Sequence, residues 1–245
     1  MFVNMDPFFE ADYRADGLAV VGKNLGFLND PAFNEAWAKT KLLNLEGWSN
    51  DVPDIRWRAH VACWAVDSSL RACSGGDLAE FGVHTGIISL MLCQLTSFNT
   101  SGRKLYLFDT FSGIPELESL SPAEKSHTET LNASIYFDCF WIAERNFSEF
   151  KNVELVKGIL PASLNDAQFE SLCFAHFDLN NSQSEMAVLR DVWDRILPGG
   201  MILLDDYAWT DYQPQYDAWN QFSRKVDHPI LTLPTGQGLI VKTGR

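Results

Sequence analysis

Basic residues are scarce in this chain: 19 Lys and Arg stand against 32 Asp and Glu, a formal net charge of -13. A phosphate backbone or an anionic lipid surface would be repelled over the whole approach, which sets aside nucleic acid and membrane surfaces as partners. Cysteine is sparse and unpatterned. The five (Cys63, Cys73, Cys93, Cys139, Cys173) are widely spaced and form no C-x-x-C pair, so neither a zinc ribbon nor a redox dithiol is expected, only reduced core thiols. No uninterrupted apolar run approaches the roughly 20 residues of a membrane span. The opening "MFVNMDPFFEADYRADG" carries acids where a secretory signal needs a basic flank. A soluble, cytoplasmic protein is expected.

With 245 residues, 46% of them hydrophobic, the chain has enough apolar material for one good core. The character changes near "GWSNDVPD", which predicts a helical extension or lid over residues 1–53 and a main domain over 54–245. In the extension, "DPAFNEAWAKTKLL" has Asp30 as cap, Pro31 at the first helical position and apolar residues at helical spacing. Its aromatics (Phe8, Phe9, Phe33, Trp37, Trp48) would suit a homodimer contact. "DIRWRAHVACWAVDSSLRAC" reads as a longer helix capped by Asp54 and stopped before Gly75.

From there strands and helices alternate. "DLAEFGV", "KLYLFD", "VELVKG", "LCFAHFD" and "MILLDD" read as strands. "GIISLMLCQL", "PASLNDAQFE" and "SQSEMAVLRDVWDRI" read as helices, the last ended by Pro198, Gly199 and Gly200. After a further helix in "YQPQYDAWNQFSRKV", "ILTLP" and "GLIVK" flank the turn "TGQG" and predict an antiparallel hairpin. Short apolar strands divided by helices imply parallel pairing, giving an α/β doubly wound sheet of seven strands, mostly parallel. In such sheets ligands collect beyond the C-terminal strand ends.

Those ends are acidic. "LYLFD" finishes on Asp109, "FAHFD" on Asp178, and "MILLDD" on Asp205 and Asp206, while "AEFGVHTG" holds Glu80 ahead of Gly82 and Gly86. One strand-end aspartate is most often a cap or turn residue, but recurrence along one edge points to a site. The two glycines let a ligand approach the backbone, yet the third glycine of the dinucleotide fingerprint is absent. Asp109 stands where a carboxylate accepts both hydroxyls of a ribose. A nucleoside is therefore implied, phosphates less so, and S-adenosylmethionine fits. Asp178, Asp205 and Asp206 could converge on one hard cation, Mg²⁺ with Ca²⁺ or Mn²⁺ as alternatives, whose charge would offset their repulsion.

Taken in order, "AEFGVHTG", "LFDTFSGIP", "VELVKG", "FDLNNSQSE", "LPGGMILLDDYAW" and "LPTGQGLIVK" resemble the TylF/MycF-type (macrocin-type) O-methyltransferases, from about Arg58 to the C-terminus. The resemblance implies a class I S-adenosylmethionine-dependent fold and a magnesium-assisted methyl transfer to a hydroxyl of a sugar or polyol-bearing small molecule. By position it implies cofactor contacts from Glu80, Phe81, Gly82, Gly86, Asp109, Thr110, Phe111, Gly158 and Asp178, and metal ligation by Asp178, Asp205 and Asp206. Members similar to this chain carry D-x-D with the second aspartate as base, where this sequence has Asn180. An amide cannot accept that proton, so Asn180 is expected to orient the acceptor, with His127, His84 and His176 as candidate bases. The catalytic set is thus Asp178, Asn180 and His127. The stretch from Ser119 to Phe150, with Tyr136, Phe137, Phe140 and Trp141, is the expected substrate cover.

Two rivals stand beside this reading. A nicotinamide-dependent oxidoreductase would use the same Gly82 loop and Asp109 but leaves Asp205 and Asp206 unexplained. A non-catalytic nucleoside-binding member would explain Asn180.

Overall fold

The computed structural model describes residues 11–49 and 51–244, so Phe8 and Phe9 lie outside the described residues. Strands β1 (Tyr13–Ala15) and β2 (Leu18–Val20) open it as an antiparallel hairpin turned by Asp16 and Gly17, both at positive φ. Sequence reading passed over this hairpin because three-residue strands carry almost no periodicity. Helix α1 (Pro31–Asn44) begins as predicted, the Asp30 side chain accepting from Ala32 N at 2.9 Å. Helix α2 (Arg56–Ala72) stops ahead of Gly75, but Ile55 takes its cap position, and Asp54 sits one residue further out, accepting from Arg56 N at 3.3 Å.

The remaining elements alternate: β3 (Asp77–Phe81), α3 (Ile87–Leu95), β4 (Leu105–Asp109), α4 (Pro122–Ser134), α5 (Phe140–Phe147), β5 (Val153–Lys157), β6 (Leu172–Phe177), α6 (Ser182–Val192), β7 (Ile196–Leu204), α7 (Gln213–Val226), β8 (Leu231–Thr232) and β9 (Gly238–Val241). They form the predicted seven-stranded sheet, in the order β5-β4-β3-β6-β7-β9-β8. The first five are parallel, and β9 pairs antiparallel with both β7 and β8. Two elements differ from expectation. The helix predicted from Pro161 is only a 3₁₀ turn, Ala162–Asp166, in which the Asn165 amide bonds Ala162 O and competes with a regular helix. Pro198, Gly199 and Gly200 lie within β7, since α6 has already ended at Val192 and Gly200 passes too close to Cys173 O to carry a Cβ.

Side chains alternate across the sheet. Leu78, Leu107, Phe174 and Leu203 point into a core roofed by α1, α2, α3 and α5, whereas Ala79, Phe108, Ala175 and Ile202 point into one roofed by α6 and α7. Phe33 and Trp37 are buried in the first of these cores, so they are spent within the chain and are not presented for a dimer contact. Strand order reverses between β3 and β6, which opens a crevice at their C-terminal ends.

Candidate active site

Gly82 and Asp178 follow β3 and β6 and meet at that crevice. Gly82 has φ +92°, and a Cβ there would lie 1.8 Å from Asp178 O, so no other residue fits. The loop from Gly82 is held by the carboxylate at the end of β4: Asp109 Oδ2 accepts from Val83 N at 2.6 Å and His84 N at 2.7 Å, and Oδ1 from Phe111 N at 2.7 Å. Thr110 Oγ1 lies 2.5 Å from Gly113 O and 3.3 Å from Asp109 Oδ1, and its one proton serves only one of them at a time.

These loops enclose a cleft beyond the C-terminal ends of β3, β4 and β6. Of the residues predicted to touch cofactor, Gly82, Asp109, Thr110, Phe111, Gly158 and Asp178 line it. Glu80, Phe81 and Gly86 do not. Phe81 is fully buried against Phe108 and Phe177, and Gly86 caps α3 at φ +88° beneath Phe147. Glu80 faces the opposite side of the sheet from Phe81, where its oxygens meet Ser89 Oγ and His176 Nδ1.

Cross-strand register explains that last contact. Glu80 pairs with His176, His176 pairs with Leu203, and Asp205 lies two residues beyond Leu203 on the same face. His176 is thus clamped between Glu80 Oε1 at 2.9 Å and Asp205 Oδ1 at 3.4 Å. Burial alone would keep it neutral, but the two acids raise its pKa well above the ordinary value. Both ring nitrogens are engaged, which removes it as a candidate base.

Asp205 and Asp206 are buried and Asp178 is half-buried, close enough for their charges to act on one another. Burial raises Asp178, and repulsion from Asp205 and Asp206 raises it further. Asp206 is pushed up to about 8 by burial and Asp205. Asp205 alone is held low, because Arg58 and His176 outweigh the cost of burial. Its Oδ2 receives Arg58 Nη1 at 2.5 Å and its Oδ1 receives Gln237 Nε2 at 3.0 Å. Arg58 also reaches Asp206 Oδ1 at 3.5 Å and grips Asp16 of the hairpin through Nε and Nη2. Among the described residues, no three side chains with carboxylate, imidazole or thiolate donors present them to a common point. The three aspartates lie close enough to repel one another, but the oxygens of Asp205 are turned to Arg58, His176 and Gln237, so the convergence on one cation expected from the sequence is not seen. A hard cation still suits the chemistry of this oxygen donor set, since a positive ion would relieve the repulsion among Asp178, Asp205 and Asp206.

Arg58 is the functional residue that sequence reading missed. Its signal was present: it heads the stripe Ala62, Ala65 and Ser69, fully buried on α2, where a cation needs an acid.

Asn180 sits at φ +60° between two tyrosines, its amide donating to Tyr136 OH at 3.2 Å and Asp178 Oδ1 at 3.3 Å while its oxygen accepts from Tyr212 OH at 2.9 Å. His127 packs edge-on to Tyr212 at 4.8 Å, outside the cleft lining, with Nε2 buried and unpartnered. His84 does line the cleft. Its ring packs on Trp48 and Tyr136, its Nε2 is buried without a partner, and burial, against the pull of Asp109, lowers its pKa to about 4. Of the expected cover, Tyr136 lines the cleft, whereas Trp141 is half exposed under Arg145.

Comparison with known proteins agrees with this geometry. Mycinamicin III 3''-O-methyltransferase of Micromonospora griseorubida is 27% identical over 151 residues, 58% of this chain and 59% of the relative. The 8-demethyl-8-(2,3-dimethoxy-alpha-L-rhamnosyl)-tetracenomycin-C 4'-O-methyltransferase of Streptomyces olivaceus is 26% identical over 152 residues, 59% of this chain and 58% of the relative. The chain therefore spans about three fifths of the length of these curated relatives. Among solved structures, the O-methyltransferase NovP superposes with a TM-score of 0.71 at 18% identity, over 87% of this chain and all of that one. The calicheamicin methyltransferase CalS11 gives 0.56 at 16% identity, over 91% and 99%. Both likenesses establish the class I methyltransferase fold. The family model for macrocin-O-methyltransferase (TylF) matches residues 64–235, the span from α2 through the C-terminal hairpin turn, and the chain belongs to that family.

Proposed function

We propose that this protein transfers a methyl group from S-adenosylmethionine to a hydroxyl of a sugar-bearing or polyol-bearing small molecule. The observation that carries this reading is the shared cleft: the Gly82 loop and the carboxylates of Asp109 and Asp178 open onto one space at the strand-order switch. The orphaned Nε2 of His84 in the cleft wall is a further sign that a polar ligand belongs there. The two curated relatives are named for O-methylation, one of them on a rhamnosyl compound, which supports a sugar-like acceptor.

When bound, S-adenosylmethionine supplies the methyl group on a positively charged sulfur. Asp109 holds the ribose, and the Gly82 backbone permits close approach. Asp178, with Asp206 and Asp205, would hold a magnesium ion, whose chemistry is to withdraw charge from the acceptor oxygen. Asn180, fixed by Tyr136 and Tyr212, orients the acceptor. Methylation of an alcohol oxygen makes its proton strongly acidic, so even a weak base suffices, and His84 stays unprotonated at neutral pH and lines the cleft. Holding both reactants in line supplies the larger share of the rate, on the order of several kcal/mol.

Calorimetry with S-adenosylmethionine against NAD, followed by methyl transfer to rhamnosylated acceptors with magnesium or EDTA, tests the reading. Binding of NAD in preference to S-adenosylmethionine would overturn it. Among the described residues no helix is long and apolar enough to cross a membrane, and the net charge of -13 argues against nucleic acid as substrate.

A further inference from the structure

Arg58 has more ionic partners than any other cation in the site. Its guanidinium, half-buried in the first turn of α2, gives one edge to Asp16 (Nε to Oδ2 at 2.6 Å, Nη2 to Oδ1 at 2.7 Å) and its remaining nitrogen to Asp205 at 2.5 Å and Asp206 at 3.5 Å. The plane of the group stacks 5.2 Å from the Trp209 ring. Trp209 also carries the turn of the hairpin: a Cβ on Gly17 would lie 2.6 Å from its Cη2. One side chain therefore joins the N-terminal hairpin, the sheet edge and the acidic cluster. It also explains why three acidic side chains come together without presenting their oxygens to a common point, since the guanidinium draws Asp205 Oδ2 and Asp206 Oδ1 towards itself.

Resting on the proposed magnesium site, we infer that Arg58 is a built-in competitor for that cation and couples its binding to the hairpin. Without a divalent ion the guanidinium balances Asp205 and Asp206 and ties β1 and β2 to the strand ends through Asp16. A divalent ion at the same carboxylates takes over that balance, the bond from Arg58 to Asp205 gives way, and the hairpin loses its tie to the sheet edge. Asp16 works in the ion's favour, because it is the partner that receives Arg58 when Asp205 lets go. The coupling is one of charge: a positive group a few ångströms from a divalent ion opposes its binding, and the low dielectric of a buried site enlarges the effect.

Opposite signs for two variants test it. Titration of magnesium chloride into the full chain by calorimetry is expected to show R58M binding about tenfold or more tightly than wild type, for loss of the competing charge. D16N is expected to bind more weakly, because Arg58 then has only Asp205 and Asp206 to hold. Circular dichroism establishes that each variant is folded. If R58M does not fold, R58K replaces it, and its single point charge, unable to bridge both acids, is expected to tighten magnesium binding to a smaller degree. Hydrogen exchange on wild type supplies a readout without mutation: amides of residues 13–20 are expected to exchange faster with magnesium present. A folded R58M that binds magnesium no better than wild type, in a wild type that does bind it, overturns the inference about Arg58 and leaves the cation reading intact. Absence of magnesium binding in wild type and in every folded variant sinks the cation reading and this inference with it.

Discussion

At Gly82 the whole site depends on a missing atom. The position has φ +92° and its Cβ direction is filled by Asp178 O, so Gly82→Ala must push β3 and β6 apart at the switch point. The expected cost is more than about 3 kcal/mol, enough to lower the melting temperature by several degrees or prevent folding, measured by thermal denaturation. Asn180 makes a different case. Its amide donates to Asp178 Oδ1, a bond that a carboxylate would replace with repulsion between two neighbouring acids. Asn180→Asp is expected to lower the melting temperature most at alkaline pH, and the gap should narrow as pH falls, starting above the ordinary aspartate range because Asp178 itself is raised well above it. A loss that persists unchanged at low pH would show that shape, not charge, makes the difference. Should the variant instead gain methyl transfer that wild type lacks, the non-catalytic reading of this chain would be favoured.

Between elements, the acid that joins α6 to α7 matters most. Glu185 on α6 is buried and accepts from Trp219 Nε1 at 2.6 Å and Gln215 Nε2 at 2.9 Å, both on α7, and from Leu179 N at 3.4 Å in the loop that carries Asn180. Burial, only partly opposed by those bonds, raises its pKa from 4.5 to about 7. The folded state therefore keeps a proton that the unfolded chain has already lost between pH 4.5 and 7. Its contribution to stability is full below 4.5 and is lost as pH rises through 7. Glu185→Gln stays neutral throughout. The difference in melting temperature, variant minus wild type, should climb between pH 5 and 7 and level off above, as measured by scanning calorimetry. A difference that does not vary with pH would place the stabilisation in the hydrogen bonds alone.

For the molecule as a whole, charge and ligand linkage give the checks. A net charge of -13 on 245 residues makes the folded state self-repulsive, and added sodium chloride screens it, so the melting temperature should rise between about 0.05 and 0.5 M salt. A fall over that range would mean that the buried Arg58 network, not surface repulsion, dominates the response. Saturating S-adenosylmethionine should add about 2.7 kcal/mol at a hundredfold excess over its dissociation constant, read as a rise in melting temperature that NAD does not reproduce.

Much of this architecture could be read from the chain order alone, since each parallel strand announces itself as an apolar run closed by an acid or a glycine, and α1 and α2 by apolar spacing and an aspartate at or beside the cap. "LYLFD", "FAHFD" and "MILLDD" became β4, β6 and the end of β7, and their closing acids stand at the expected edge. Local pattern determines such features because backbone geometry repeats every two residues in a strand and every 3.6 in a helix. Only the tertiary structure decided which of those acids meet what. Asp205 lies opposite Arg58, 147 residues away, and Glu80 opposite His176, 96 residues away, through strand register and the placement of α2. Ionic partners at such separations are chosen by packing, and packing is settled only when the whole sheet has formed.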